Sequence, residues 1–334
     1  MKILVTGGNG FIGHHFCEHI LKNTDWEIIV MDRLSYAANG FERLKEVNCY
    51  DQKRVRHFCH DFTMPINDGL LGEIKDVDYI VHMGAETHVD NSISDPRPFV
   101  RSNVLGTMEI LEFARKCTNL KLMVYFSTDE VFGPAPVETV PNGYREWDRY
   151  NSTNPYSASK AAGEELCLAW ANTFGVPLII THTMNVFGER QHPEKFIPKV
   201  IRKVLAGETI TIHSDPSKTI SGSRYWIHAR NVAEAVLFLI NNERETHILR
   251  EKYNIVGERE VSNLEMAQTI ARILGRELKY EMIDFHSSRP GHDLRYGLDG
   301  SKLFSMGHQY PKTFEDSLQK TIQWTLENPK WLNL

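Results

Sequence analysis

An α/β fold, with a doubly wound parallel sheet and a smaller mixed C-terminal lobe, is predicted by three features of the 334-residue sequence. Short β-rich runs alternate with amphipathic stretches through the first half, a glycine-spaced turn joins the first strand to the first helix, and the alternation decays after about residue 188. Strands are expected at 2–7, 27–32, 55–60, 79–84, 121–127 and 177–183, short β-rich runs read as buried strands of a parallel sheet covered on both faces. Stretches 11–22, 103–117 and 156–174 are long enough to be crossover helices between parallel strands. Beyond residue 188, Pro193, Pro198, Pro216 and the polar loop 214–223 interrupt the pattern until an apolar helix resumes at 231–241. A short helix at 262–274 and the loop Ser-Arg-Pro-Gly-His follow. The expected organisation is a main domain over 1–187, to which 228–255 returns, with 188–227 and 256–334 forming a lobe over the sheet's carboxyl edge. Ligands of open α/β sheets bind at that edge.

Charge and composition narrow the partners. With 43 acidic against 38 basic side chains, the formal net charge of -5 gives no electrostatic reason to expect nucleic acid or an anionic membrane surface. Any bound anion has to be held by a local site. The opening apolar run breaks at glycines, too short for the core of a secretion signal, and no later stretch reaches the ~18 to 20 apolar residues of a membrane span. Cys17, Cys49, Cys59, Cys117 and Cys167 are scattered and odd in number, which suits free thiols in a reducing compartment such as the cytoplasm.

Gly7, Gly10 and Gly13 stand at the spacing G-x-x-G-x-x-G, directly after the first strand and before the first helix. Glycines there let the backbone approach a pyrophosphate, at which the helix aims its positive end. Asp32 closes the second strand about 20 residues later, where a carboxylate accepts hydrogen bonds from an adenosine ribose. Together these features predict a Rossmann-type dinucleotide site; a plain turn with a loop-capping aspartate is the bland alternative. The carboxylate repels a 2′-phosphate and so favours NAD, whereas neighbouring Arg33 leaves NADP open. Asp61, after the third strand, is placed to meet the adenine edge.

Tyr156 and Lys160 lie four residues apart behind Pro155, on one face of a helix. An ammonium beside a phenol is expected to lower its pKa from about 10 towards a value useful for proton transfer. A buried tyrosine beside a snorkelling lysine is the structural alternative. The fifth strand ends in Ser127-Thr128-Asp129-Glu130-Val131-Phe132-Gly133. Consecutive residues at a strand end point in different directions, so Asp129 and Glu130 can address different atoms of one substrate. Elimination of water requires that division, one group removing a carbon-bound proton while the other protonates the departing hydroxyl.

With the glycine turn, Asp32 and Tyr156-x-x-x-Lys160 in this order, the chain is identified as a member of the extended short-chain dehydrogenase/reductase family over nearly its whole length. The Ser127–Gly133 segment resembles the Ser-Thr-Asp-Glu-Val-Tyr-Gly motif of that family's dTDP-glucose 4,6-dehydratases, and the UDP-glucose dehydratases are similar. So do the segments beginning at Asp32, Ala85, His192 and Arg289. The resemblance implies NAD as cofactor and catalysis by Thr128, Asp129, Glu130, Tyr156 and Lys160. It also implies cofactor contacts from Phe11, Ile12, Arg33, Ser35, Asp61, Phe62, Ala85 and Ser102 besides the glycines and Asp32. Substrate contacts are implied for Thr87, Thr128, Asn185, Lys195, Phe196, Arg224, Arg289 and His292, and a homodimer through helices 103–117 and 156–174. Under that reading Tyr156 takes the C4 hydroxyl proton, Glu130 the C5 proton, and Asp129 protonates the leaving C6 hydroxyl.

Three departures stand out: the loop 214–223 is long, Arg259 replaces a usual asparagine, and the stretch between Glu130 and Tyr156 is short. They bear on nucleobase and hexose preference. His14, His15 and His19 have a helical spacing but no acidic or cysteine ligand beside them, and the chemistry needs no metal. A nucleotide-sugar 4-epimerase, which has no use for the Asp129–Glu130 pair, and a non-catalytic NAD-sensing scaffold are the competing readings.

Overall fold

The computed structural model describes residues 1–242, 250–284 and 294–333. Its strands are β1 (Lys2–Thr6), β2 (Glu27–Asp32), β3 (Val55–Cys59), β4 (Tyr79–His82), β5 (Leu122–Thr128), β6 (Leu178–Thr183), β7 (Val186–Phe187), β8 (Ile210–Ser214), β9 (Ser223–Tyr225), β10 (Ile227–His228), β11 (Lys252–Ile255), β12 (Glu260–Ser262) and β13 (Tyr280–Asp284). Seven form one sheet in the order β3-β2-β1-β4-β5-β6-β11, and every neighbouring pair is parallel. The order reverses between β1 and β4, which opens the crevice where ligands of such sheets sit.

Alternation along each strand feeds two cores. Ile3, Val5, Val30 and Val124 pack with Phe16 and Ile20 of helix Phe11–Asn23 and with Val232 and Val236 of helix Ala229–Asn241. Leu4, Ile29, Met123 and Ile180 face the other way, towards Ile110 and Phe113 of helix Gly106–Lys116 and Cys167 and Ala171 of helix Pro155–Phe174. Burial on both faces explains why these strands read as unbroken apolar runs. A third cluster, with Phe187, Val200, Ile212, Trp226, Met266 and Phe314, forms beside the sheet. There β7 pairs with β10, β8 with β13 and β9 with β12.

Several elements depart from the sequence reading. The stretch after residue 188 contains helix Phe196–Ala206, which tolerates Pro198 because its first turn needs no amide donor there, and Gly207 ends it in a left-handed conformation (φ 68°). β11 was not expected, because Lys252 and Asn254 are polar yet wholly buried. In addition, the helix expected from residue 103 begins at Gly106, after a π-helical turn, Arg101–Leu105, that buries Ser102 and Asn103.

Candidate active site

At the dinucleotide turn, Gly7 adopts φ 69°, and a Cβ there would stand 2.8 Å from the backbone of Gly84. A Cβ at Gly13 would run into the Gly7 carbonyl oxygen, so the helix packs against the turn only through glycine. Gly10 caps helix Phe11–Asn23 without a side-chain hydrogen bond, and no acidic residue occupies the first turn, where Phe11 and Ile12 lie. That end suits an anion. Asp32 is buried and accepts hydrogen bonds from the amides of Asn9 (3.0 Å) and Leu34 (2.8 Å). Burial raises its pKa against these bonds and against the charges of Arg33 and Arg43. Arg33 forms an ion pair with Glu86 and lies 3.8 Å from Asp61. Beneath the loop, the fully buried Arg43 donates to the carbonyls of Ala37 (2.6 Å), Ala38 (2.8 Å) and Arg190 (3.0 Å), tying the β2 loop to the segment after β7. Ser102 Oγ and Asn9 Oδ1 are buried and make no hydrogen bond within the described chain. Glycine backbone, an uncapped helix start, a ribose-type carboxylate and two orphaned polar atoms fit an NAD molecule.

The second half of the site is at the end of β5. Thr128 Oγ1 donates to Asp129 Oδ1 (3.0 Å), while Asp129 Oδ2 is buried without a hydrogen-bond partner among the described residues. Burial pushes Asp129 up to about 6, with Thr128 and the Arg224 charge opposing it. Gly133 ends this turn at φ 75°, where a Cβ would strike the Asn151 carbonyl. Glu130, half-buried, accepts a hydrogen bond from Asn154 Nδ2 (3.1 Å). Tyr156 lies on the adjoining helix, where burial, then the Glu130 charge, raises its phenol pKa, and a hydrogen bond with Thr128 opposes the rise. The expected lowering is therefore not a property of the chain alone. Lys160 directs its ammonium at the Tyr125 ring, 4.2 Å from the centroid, and burial draws it down to about 8 against the Glu164 charge. The charges acting on the phenol are those of Glu130 and Asp129.

The other expected residues divide. Arg224 is bound to the carbonyls of Ser223 (2.6 Å) and Leu294 (2.7 Å), stacks on Tyr296, and its charge is felt by Asp129. Lys195 precedes helix Phe196–Ala206, with Glu194 at 4.0 Å, and Phe196 stacks on Trp226. Asn185, directly before β7, accepts from the Ile227 amide of β10 through its carbonyl (3.1 Å). Thr87 is exposed and Ala85 half-buried after β4, and Ser35 opens the short turn Tyr36–Ala38. The ring of Phe62, by contrast, is in the core against Gly84 and Gly106, which is a packing role. Arg259 is paired with Glu265 (2.9 Å) and Glu315 (3.1 Å). The loop 214–223 is closed on itself by Asp215, which accepts from the amides of Thr219 and Ile220. His15 and His228 flank Glu189, and His19 pairs with Glu234 (2.8 Å). Arg289 and His292 lie outside the described residues.

Asn154 was missed as a site residue. Its Oδ1 accepts from the Ser157 amide (2.9 Å) in a capping box, while its Nδ2 holds Glu130. The Asn-Pro start is a legible cap signal, but nothing in the spacing announces the bond to Glu130.

Fold and site together define a dinucleotide-dependent enzyme of the short-chain dehydrogenase/reductase class. The chain belongs to the NAD dependent epimerase/dehydratase family, whose model matches residues 3–255. It is 35% identical over 355 residues to a dTDP-glucose 4,6-dehydratase of Escherichia coli, covering 99% of this chain and 95% of the relative. A trifunctional UDP-glucose 4,6-dehydratase of Arabidopsis thaliana is 33% identical over 332 residues, 99% of this chain and 48% of that larger protein. The crystal structure of a dTDP-glucose 4,6-dehydratase from Streptomyces venezuelae, with NAD bound, superimposes with a TM-score of 0.88 at 33% identity, covering 100% of this chain and 99% of that one. A UDP-glucuronic acid 4-epimerase from Bacillus cereus shares the fold, with a TM-score of 0.86 at 24% identity.

Proposed function

We propose that the chain is an NAD-dependent nucleotide-sugar 4,6-dehydratase, a hydro-lyase converting an NDP-hexose to its 4-keto-6-deoxy product, with dTDP-glucose as the first substrate to test. The observation that carries this reading is the unequal pair at the end of β5. Asp129 is buried with one oxygen unpartnered among the described residues and a carboxyl pushed up to about 6, whereas Glu130 is held by an amide donor. One is suited to deliver a proton and the other to receive one. NAD, when bound, would supply a hydride acceptor and, once reduced, a hydride donor. Tyr156, hydrogen-bonded with Thr128, removes the C4 hydroxyl proton, and Lys160 carries positive charge on the same helix. The resulting ketone acidifies C5, whose proton goes to Glu130 as the C6 hydroxyl leaves with a proton from Asp129. Arg224, Lys195 and Asn185 bind the nucleotide diphosphate end, and arginine can grip phosphate through two parallel hydrogen bonds.

The Arabidopsis relative supports UDP-glucose as a second candidate substrate. A homodimer through the helices at 103–117 and 156–174 is supported by the exposed apolar side chains Leu105 and Phe174. A reducing compartment, the cytoplasm, is supported by five cysteines outside any disulfide.

Incubation with dTDP-glucose and with UDP-glucose in deuterated water, read by mass spectrometry, tests the reaction. The expected product has lost one water and gained solvent deuterium at C5. An isomer of unchanged mass would replace this reading with 4-epimerisation.

A further inference from the structure

We propose that Glu86 is a specificity-determining residue: by engaging the Arg33 guanidinium it denies a 2′-phosphate the cation beside the adenosine-ribose carboxylate, and so makes the site select NAD against NADP. Arg33 directly follows Asp32, the position from which an arginine can accommodate a 2′-phosphate. On sequence alone it leaves the choice of dinucleotide open. In the folded chain its NH2 is paired with Glu86 Oε1, and its NH1 lies 3.8 Å from Asp61 Oδ2. A 2′-phosphate could recruit this guanidinium only in competition with Glu86 and Asp61, and would bring its charge against the Glu86 carboxylate, which is 18% exposed.

The Glu86 carboxylate is preset, not adventitious. Its residue follows β4, and both of its backbone groups are held by one buried side chain from the π-helical turn. The Glu86 amide donates to Asn103 Oδ1 (2.9 Å), and its carbonyl accepts from Asn103 Nδ2 (3.0 Å). Asn103 Nδ2 also donates to Ser159 Oγ (2.9 Å), on the helix that carries Tyr156. Burial raises the Glu86 pKa and the Arg33 charge opposes the rise. Asp61 and Glu86 thus flank a single guanidinium whose charge Asp32 also feels, an arrangement that favours uncharged ribose hydroxyls over a phosphate. Asp32 contributes ribose recognition; Glu86 decides what Arg33 is free to do.

The test is calorimetric titration of the full-length protein with NAD and with NADP, in wild type, Glu86→Gln, Arg33→Ala and the double variant. Glu86→Gln is expected to raise the NADP-to-NAD affinity ratio about tenfold, the scale of one charge-assisted hydrogen bond. In the Arg33→Ala background the same substitution is expected to leave the ratio unchanged. An unaltered ratio in Glu86→Gln overturns the proposal. An equal rise with Arg33 absent overturns it too, since Glu86 would then act through bulk charge alone. A Glu86→Gln protein that binds neither dinucleotide assigns the residue to structure and not to selectivity.

Discussion

Asp129 and Glu164 are two buried carboxyls reached from consecutive residues of one strand, and their surroundings are opposite. Asp129, 5% exposed, accepts from Thr128 and, among the described residues, leaves Oδ2 without a side-chain partner, so burial pushes it up to about 6. Glu164, fully buried, receives Ser127 Oγ, Tyr150 OH, His182 Nε2 (3.2 Å) and Lys252 Nζ (3.3 Å), and is held down at about 2 although burial alone would raise it. Ser127 and Thr128 are neighbours in β5, so the pleat sends one hydroxyl to each cluster. Burial is common to both carboxyls; the number of donors and cations decides the protonation state. A saturated carboxylate is an anchor, and an undersupplied one takes up a proton closer to neutrality.

Removing the undersupplied carboxyl is expected to have the largest effect on turnover. Asp129→Asn deletes the proposed acid, which should reduce product formation about 10²- to 10⁴-fold, measured as release of the dehydrated sugar nucleotide. Its effect on stability should have the opposite sign. A carboxyl whose folded pKa is raised from 3.8 to about 6 binds its proton more tightly folded than unfolded, so it costs stability once pH exceeds that range. The cost grows between about pH 4 and pH 6 and levels off near 3 kcal/mol, from about 1.4 kcal/mol per pKa unit. Denaturation of Asp129→Asn should match wild type near pH 4 and exceed it above pH 6. Turnover within tenfold of wild type would remove the distinction between the two carboxyls.

Glu164→Gln is the complementary break. It leaves Lys252 and His182 buried beside a neutral amide, a change that costs about 3–5 kcal/mol where a buried ion pair loses one partner. The sign is again set by the shift. A carboxyl lowered to about 2 contributes stability above its unfolded value, and that contribution is lost as pH falls from about 4.5 towards 2. Wild type should therefore lose its advantage over Glu164→Gln across this window in chemical denaturation. Equal stabilities at pH 7 would mean that the cluster anchors nothing.

The same contrast explains what the sequence could disclose. The glycine turn, Asp32, Tyr156 with Lys160 and the acidic pair after Thr128 each occupy a few consecutive residues with a fixed spacing, so they are legible without a fold. Strands β1, β2 and β4 to β6 were legible because both faces are largely apolar and buried, whereas β3, at the sheet edge, is buried only at Val55. β11 was not, since Lys252 and Asn254 serve Glu164 and His182, partners 88 and 72 residues away. Arg33 and Glu86 are 53 residues apart, and no local pattern can report an ion pair closed by the sheet. The rise at the Tyr156 phenol was hidden for the same reason: the helix spacing displays Lys160, but the carboxylates that act on it come from the turn after β5.

Between the two extremes stands Glu130, half-buried and holding an amide donor from Asn154, and here the smallest effect is expected. Asn154 performs two separable tasks, accepting from the Ser157 amide as helix cap and donating to Glu130 Oε2. Serine caps as well as asparagine does but has no amide to offer, so Asn154→Ser should change stability by less than about 1 kcal/mol. The lost donor should slow solvent deuterium exchange at C5 by about tenfold, one charge-assisted hydrogen bond. Asn154→Ala, which loses both tasks, should show the same slowing with about 1 kcal/mol of further destabilisation. Unslowed exchange in both variants would mean that Glu130 is oriented by other groups. Loss of stability in Asn154→Ser equal to that in Asn154→Ala would mean that the bond to Glu130 helps fasten the helix to β5.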